Sequence, residues 1–377
     1  MVSRKIIFVP IFLFLFFSLA GYLVVNLGEN SSRTPISGEN TSTTKAPRPQ
    51  SLSEKCPIET VSEIKITPKR VSYANGFLVL SNGTITIFRG DKKYRVCYPT
   101  AYPLEWGFIG INDSKLYAYT YSGEPLWNYT LNSTKFGIAV TPNYLFLLIP
   151  ADEDPQGTNV LYIFGKTGLL AEHSFPNIYY PLRCFFLKSR GNYTLLLLDH
   201  PQADGSAGMG RVIVFKGEKI AFEKTFTFRD SIEDPVYCVG DISPTGMAAF
   251  GLYHGVGILD LNSTIRYFEF PPYGVDDVAI VGDRVFALVS RETPSFYVVR
   301  DLVMIDKAPT FIMKNLSKRA ELFSSGELLL VTDPWKEKAY IFSPTGKLQR
   351  TIEYHQEIVV EGEKLLLCSV KGCTPIG

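Results

Sequence analysis

The sequence predicts an all-β fold assembled from repeats, carried on a separate N-terminal segment. Three observations predict it. From about residue 56 onward, short runs of Val, Ile, Leu, Phe and Tyr alternate with Gly, Pro and Asn turns, the pattern of strands rather than of helices. A strand–turn–strand unit recurs, mostly at intervals of 40 to 51 residues. One apolar run of about twenty residues stands alone near the N-terminus, long enough to cross the hydrocarbon core as a helix.

The N-terminal run extends from Ile6 to Val25, broken only by Pro10, Ser18 and Gly21, and follows Arg4 and Lys5. A positive flank stays cytoplasmic and sends the rest of the chain outward. Residues 1–27 are therefore expected to form a single-pass anchor in the cell membrane. The alternative is a cleaved secretory signal, because Ser18-Leu19-Ala20 fits a small-x-small cleavage site. Tyr22 to Val25 continue the run past that site and favour the anchor. Residues 28–55 are rich in Ser, Thr and Pro and nearly free of large apolar groups. Such a segment buries too little surface to offset its ordering entropy and reads as a flexible linker.

Residues 56–377 hold the repeats. "LYAYTYSGEPLWNYTL" (116–131) stands beside "ITIFRGDKKYRVCY", "LYIFGKTGLLAEHSF", "VIVFKGEKIAFEKTF", "VGILDLNSTIRYFEF" and "AYIFSPTGKLQRTIEY", with "FYVVRDLVMIDKAPTF" a weaker member. The residue before each turn serves as a marker: Phe88, Tyr119, Phe164, Phe215, Leu259, Val299 and Phe342. The intervals are 31, 45, 51, 44, 40 and 43 residues, close to the length of a four-stranded propeller blade. The expected fold is a single β-propeller of about seven four-stranded blades, with eight the alternative. "EIVVEGEKLLLCSV" near the C-terminus and "TVSEIKIT" (60–67) near the start of the repeats lack partners of their own. They are expected to complete one blade together, which removes exposed sheet edges.

Composition limits the function classes. A formal charge of +1 lacks the excess of Lys and Arg that general nucleic-acid binding requires. The even set Cys56, Cys97, Cys184, Cys238, Cys368 and Cys373 has no CxxC spacing, which suits disulfides outside the cytoplasm better than zinc. Sequence alone leaves all pairings open; local pairing would join Cys56 to Cys97, Cys184 to Cys238 and Cys368 to Cys373. Asn-x-Ser/Thr triplets begin at Asn30, Asn40, Asn82, Asn112, Asn128, Asn132, Asn192, Asn262 and Asn315, nine of the fourteen Asn. Chance would give roughly two, so glycosylation in an exported protein is expected.

The stretch Ser122-Gly123-Glu124-Pro125-Leu126-Trp127, with weaker echoes in other repeats, resembles the repeats of pyrroloquinoline-quinone-type β-propellers. The resemblance covers roughly residues 60 to 370 and implies the fold alone; the N-terminal run and the sequons are what suggest a membrane-anchored surface protein of archaeal type. It does not carry the quinone enzymes' activity over. Members of that family often place a Trp in nearly every blade, whereas this chain has only Trp106, Trp127 and Trp335.

The catalytic inventory is thin. There are four His, namely His173, His200, His254 and His355, and no GxSxG elbow, HExxH helix or phosphate-cradling Gly loop. Two insertions, "PADEDPQGTN" (150–159) and "LDHPQADGSAGMGR" (198–211), occupy equivalent places in neighbouring repeats. They are expected to share one rim and to bring Asp152, Glu153, Asp154, Asp199, His200 and Asp204 together. Ca²⁺ takes six to eight oxygen ligands, so Asp152, Asp154, Asp199 and Asp204 are the metal candidates; two solvated acidic loops are the plain alternative. Arg291, Trp335 and Lys336 fall in shorter loops at the same level, where an exposed Trp beside charges suits recognition of a sugar or a protein. The sequence thus predicts a tethered extracellular binding or scaffold module whose partner is an envelope protein or polysaccharide. The competing class is an extracellular hydrolase or oxidoreductase that uses the acidic rim or the central funnel.

Overall fold

The structure is a computed structural model. It describes residues 59–60, 71–74, 77–81, 85–89 and 92–376, except 152–155, 178–181, 183, 201–207, 229–235, 253, 261, 271, 296, 326, 354–356, 362–363 and 370–371. The predicted anchor and linker lie outside the described residues, and so does Cys56. Among the described residues no helix is long and apolar enough to cross a membrane.

Apart from one 3₁₀ turn at Pro334–Lys336, the described elements are strands. They form eight antiparallel sheets: one of five strands, six of four, and one of three. In chain order we number these sheets one (59–96), two (100–130), three (137–176), four (184–228), five (236–269), six (274–317), seven (321–353) and eight (357–376). Within sheets two to eight, strand order follows chain order, so each is a meander closed by short turns. Counting sheet one from Val71–Ala74, all seven sequence markers fall in third strands, one in each of sheets one to seven. Val299 alone is misplaced. It is the second residue of its strand, Val298–Ile305, whereas the hairpin turns after Ile305. The polar pair Arg300-Asp301 interrupts the apolar run there and hides the true turn.

The 31-residue interval does accommodate a complete sheet, because the strands of sheet two are only five or six residues long. Of the stretch 60–67 expected to share a blade with the C-terminal strands, only Thr60 is described. Glu59–Thr60 pairs with the outer strand Lys92–Val96 of sheet one, with Glu59 opposite Arg95. The C-terminal strands pair among themselves, and Gly372–Ile376 supplies the third strand of sheet eight. Val71–Ala74 of sheet one lies against Glu357–Glu361, the first strand of sheet eight.

Burial explains the strand sequences. Second strands are apolar on both faces because a neighbouring sheet covers each side; Leu145–Ile149 and Leu329–Asp333 are buried throughout. Fourth strands face solvent on one side and alternate, as in Gly168–Pro176. Between sheets the core is a series of face-to-face layers. Phe146, Leu148 and Ile163 of sheet three pack on Leu196, Leu198 and Phe215 of sheet four. Equivalent clusters join sheets two to three, four to five, five to six and six to seven.

Cys184 and Cys238 are disulfide-bonded across the first strands of sheets four and five, 54 residues apart. Cys97 is also disulfide-bonded. Cys368 and Cys373 face each other in register.

Layer packing leaves no spare volume at Gly257, where an added Cβ would meet the Phe250 ring at 2.4 Å. Gly257→Ala should therefore destabilise the domain by about 1–3 kcal/mol. Chemical denaturation of the purified protein reads this out, and unchanged stability would mean the ring can move aside freely.

Candidate functional site

Sheets four to six contribute charged side chains from their first strands to one place, and sheet seven adds a hydroxyl and a backbone amide. The segments "VGDIS" and "VDDVAIV" put Asp241 and Asp277 inside otherwise apolar strands, where an ionised carboxylate requires partners. Asp241 is fully buried. Its Oδ1 accepts from the Ile242 N–H at 2.9 Å and lies 2.9 Å from Lys188 Nζ of sheet four. Its Oδ2 accepts from the Ile280 N–H at 2.7 Å in sheet six and from Ser324 Oγ at 2.9 Å in sheet seven. Arg190 of sheet four extends to the same cluster. Its Nη1 donates to the Ile280 carbonyl at 3.0 Å and to Ser324 Oγ at 3.4 Å, and stands 3.9 Å from Asp241.

Asp277 repeats the arrangement one sheet later. It accepts from its own neighbour Val278 N–H at 2.8 Å and from the Leu322 N–H of sheet seven at 2.9 Å. Burial pushes its carboxyl up to about 6, against the lowering effect of these amides and of Lys188. The negative Asp241 adds to the rise.

At the turn end of these strands lies a cavity of about 960 Å³. Arg190 lines it together with Ser243, Thr245, Met247, Asp283 and Glu327. The Ser243–Met247 wall is a fixed hairpin, in which Ser243 Oγ accepts the Met247 N–H at 3.0 Å. The cavity therefore combines a guanidinium, carboxylates, hydroxyls and an apolar side chain, a composition suited to binding.

The rim expected from the sequence is described only in part. Asp152, Glu153, Asp154 and Asp204 lie outside the described residues, as does the side chain of His200. Asp199 belongs to the strand Tyr193–His200 rather than to a loop, and is fully buried. Its Oδ2 lies 3.9 Å from Cys184 Sγ, a contact without a proton because that sulfur is in a disulfide. No group of three or more metal-ligating side chains occurs among the described residues.

Arg291 is held rather than free. Its Nε lies 3.1 Å from the buried Asp301 carboxylate, and its Nη2 donates to Asn315 Oδ1 at 2.8 Å. Trp335 is 62% exposed on the 3₁₀ turn, with Lys318 Nζ 5.3 Å from its ring centre. His173 packs on Phe175 and Phe215, and burial lowers its pKa. His254 Nδ1 lies 3.0 Å from the Tyr273 carbonyl, and His355 is outside the described residues. Sequence reasoning missed Asp241 and Asp277. The available signal was an acid inside an apolar first strand, recurring in consecutive repeats.

No protein-family model matches the chain, and neither does any curated protein. Solved structures do resemble it. BamB from Moraxella catarrhalis superposes with a TM-score of 0.50 at 12% identity, covering 84% of this chain and 96% of that one. Apo AztD from Citrobacter koseri gives 0.46 at 12%, covering 76% and 86%. The β-propeller domain of the Trilobed protease from Pyrococcus furiosus gives 0.43 at 12%, covering 76% and 99%. At such identity the likeness is one of fold: this chain is a β-propeller.

Asp277 makes stability depend on pH with a definite sign. Its folded-state pKa is raised, so the folded protein holds this proton more tightly than the unfolded chain. That contribution is complete below about pH 4 and is lost as pH rises through about 6. Asp277→Asn does not titrate. The stability of the parent relative to this variant should fall by on the order of 2–3 kcal/mol between those limits and then level off. A difference that stays flat across pH 4 to 7, measured by denaturation, would refute it.

Proposed function

We propose that the protein is a membrane-tethered β-propeller of eight blades that works outside the cell as a binding module, without chemistry of its own. The carrying observation is the way its polar interior is used. Asp241 and Asp277 accept backbone N–H groups of the following sheet, and Arg190 reaches across to sheets six and seven. These charged groups tie sheets to one another. The cavity and the exposed Trp335 are left to present binding surface.

Eight blades are supported by the eight sheets among the described residues and by the contact between Val71–Ala74 of sheet one and Glu357–Glu361 of sheet eight. Tethering rests on the apolar run from Ile6 to Val25 with Arg4 and Lys5 before it, and on the linker 28–55. An extracellular setting is supported by the Cys184–Cys238 disulfide. The sequons support it too: Asn112, Asn132, Asn192, Asn262 and Asn315 are exposed, and Asn128 is half-buried. The partner class remains an envelope protein or polysaccharide. A Ca²⁺ site on the rim would now depend on Asp152, Asp154 and Asp204, because Asp199 is enclosed.

A second reading, an extracellular enzyme, draws on Asp277, whose raised pKa beside Lys188 resembles the tuning of a catalytic acid. A screen for hydrolase and oxidoreductase turnover, with and without Ca²⁺, separates the two. Turnover that disappears in a folded Asp277→Asn variant would replace the binding reading.

Detergent-solubilised membranes supply the positive test. The chain should sediment with membranes and retain residues upstream of Gly21; a mature chain starting at Gly21 would make it secreted instead. A specific co-purifying partner should be lost when Thr245→Trp fills the cavity mouth and retained by a variant altered elsewhere, such as Leu348→Ala. Retention by Thr245→Trp would move the binding surface away from the cavity.

A further inference from the structure

We propose that Asn315 carries an N-linked glycan whose first sugar packs on the exposed ring of Trp335. This deepens the exported reading given above and rests on it. Of the sequon asparagines described, Asn315 is held in place most completely. It lies on a bulge: Arg300 pairs with Leu316 and Leu302 with Met313, so Lys314 and Asn315 together oppose the single residue Asp301. A bulge re-aims side chains, and Asn315 takes the left-handed conformation there, with φ 59°. Its backbone N–H donates to Asp301 Oδ1 at 2.8 Å. Its side-chain Oδ1 accepts from Arg291 Nη2 at 2.8 Å. Its carbonyl accepts from Lys336 Nζ. Among the described residues, Nδ2 is the one polar group of Asn315 without a partner, and it is the atom to which an N-linked sugar attaches.

The same contacts place an aromatic surface beside it. Lys336 directly follows Trp335, so its bond to the Asn315 carbonyl fastens the tryptophan turn to the sequon. Asp333 strengthens the attachment, accepting the Ser317 N–H at 3.0 Å and pairing with Lys336 at 3.4 Å. Trp335 is 62% exposed even with Lys318 near its ring. The face of an indole is electron-rich, and the C–H face of a pyranose ring is its natural neutral complement. A sugar on Asn315 would cover apolar surface that otherwise meets water. The Arg291 and Lys336 contacts would fix where that sugar starts.

The attachment transfers a saccharide from a lipid-phosphate donor. The Asn315 Nδ2–C1 bond forms, and the C1–O bond to phosphate breaks. The phosphate leaves with the electron pair, and one Nδ2 proton passes to a base of the transferase. Ser317, the third residue of the sequon, is buried, and its Oγ accepts the Arg319 N–H at 3.3 Å. The transfer therefore belongs before sheet six closes.

The test uses the full chain made in its own host and three variants. Asn315→Asp keeps an acceptor for Arg291 but has no Nδ2, Ser317→Ala destroys the sequon, and Ser317→Thr preserves it. Glycopeptide mass spectrometry should find sugar on Asn315 in the parent and in Ser317→Thr only. Hydroxyl-radical labelling of Trp335 should be several-fold higher in Asn315→Asp and Ser317→Ala than in the other two. The buried Trp127 serves as the internal standard for an intact fold. A bare Asn315 beside other occupied sequons overturns this inference and leaves the exported reading standing. Bare asparagines throughout overturn the inference and remove the glycan support for export. Equal Trp335 labelling in all four proteins, with Asn315 occupied, shows that the sugar points elsewhere and also overturns it.

Discussion

One buried carboxylate, Asp241, connects four of the eight sheets. It collects backbone amides from its own strand and from sheet six, a hydroxyl from sheet seven, and cations from sheet four. A carboxylate placed there without those donors would cost several kcal/mol in desolvation. The four first strands must therefore hold a fixed mutual position for the strand containing Asp241 to be buried at all. Hydrophobic layers between sheets supply most of the favourable energy. They are tolerant of small sliding, however, because dispersion is non-directional. The carboxylate is not tolerant, and it sets the register in which the layers pack.

The repeat was legible because each unit obeys the same local physics. A continuous apolar second strand, a third strand ending at a tight turn, and an alternating fourth strand recur from sheet one to sheet seven. Phe88, Tyr119, Phe164, Phe215, Leu259 and Phe342 mark those turns because the hairpins are short and local. The reading slipped where the pattern was interrupted from within, as at Arg300-Asp301 ahead of the turn after Ile305. At the start of the propeller only the first residue of the expected strand 60–67 is described. Glu59–Thr60 pairs with Lys92–Val96, and a strand of two residues has too little hydrophobic pattern to declare its partner.

The candidate site was less legible for a different reason. Periodicity reports which face of a strand is buried, but not which buried side chains from separate repeats converge. Asp241 and Asp277 sit in consecutive repeats, and each takes an amide from the next sheet, a relation between residues 39 and 45 positions apart. The disulfide between Cys184 and Cys238 was within reach because local pairing of neighbouring repeats is the simplest geometry. Arg291 and Asn315 were each visible as separate signals, a charged loop residue and a sequon. Their hydrogen bond was not visible, because it depends on the bulge opposite Asp301.

Arg190 belongs to two environments at once. It lines the cavity at the turn end of the strands, and it donates to Ile280 and Ser324 within the charged cluster. Any molecule entering that cavity therefore meets a group already engaged in joining sheet four to sheets six and seven. An occupant that leaves the guanidinium in place adds its own contacts to a rigid assembly. One that draws it away strips a cation from a buried carboxylate, and the cost is felt in sheets that the occupant never touches. Occupancy and the stiffness of this half of the ring are thus two sides of a single free-energy coupling, and by reciprocity the ring's own breathing sets how tightly the cavity holds its guest.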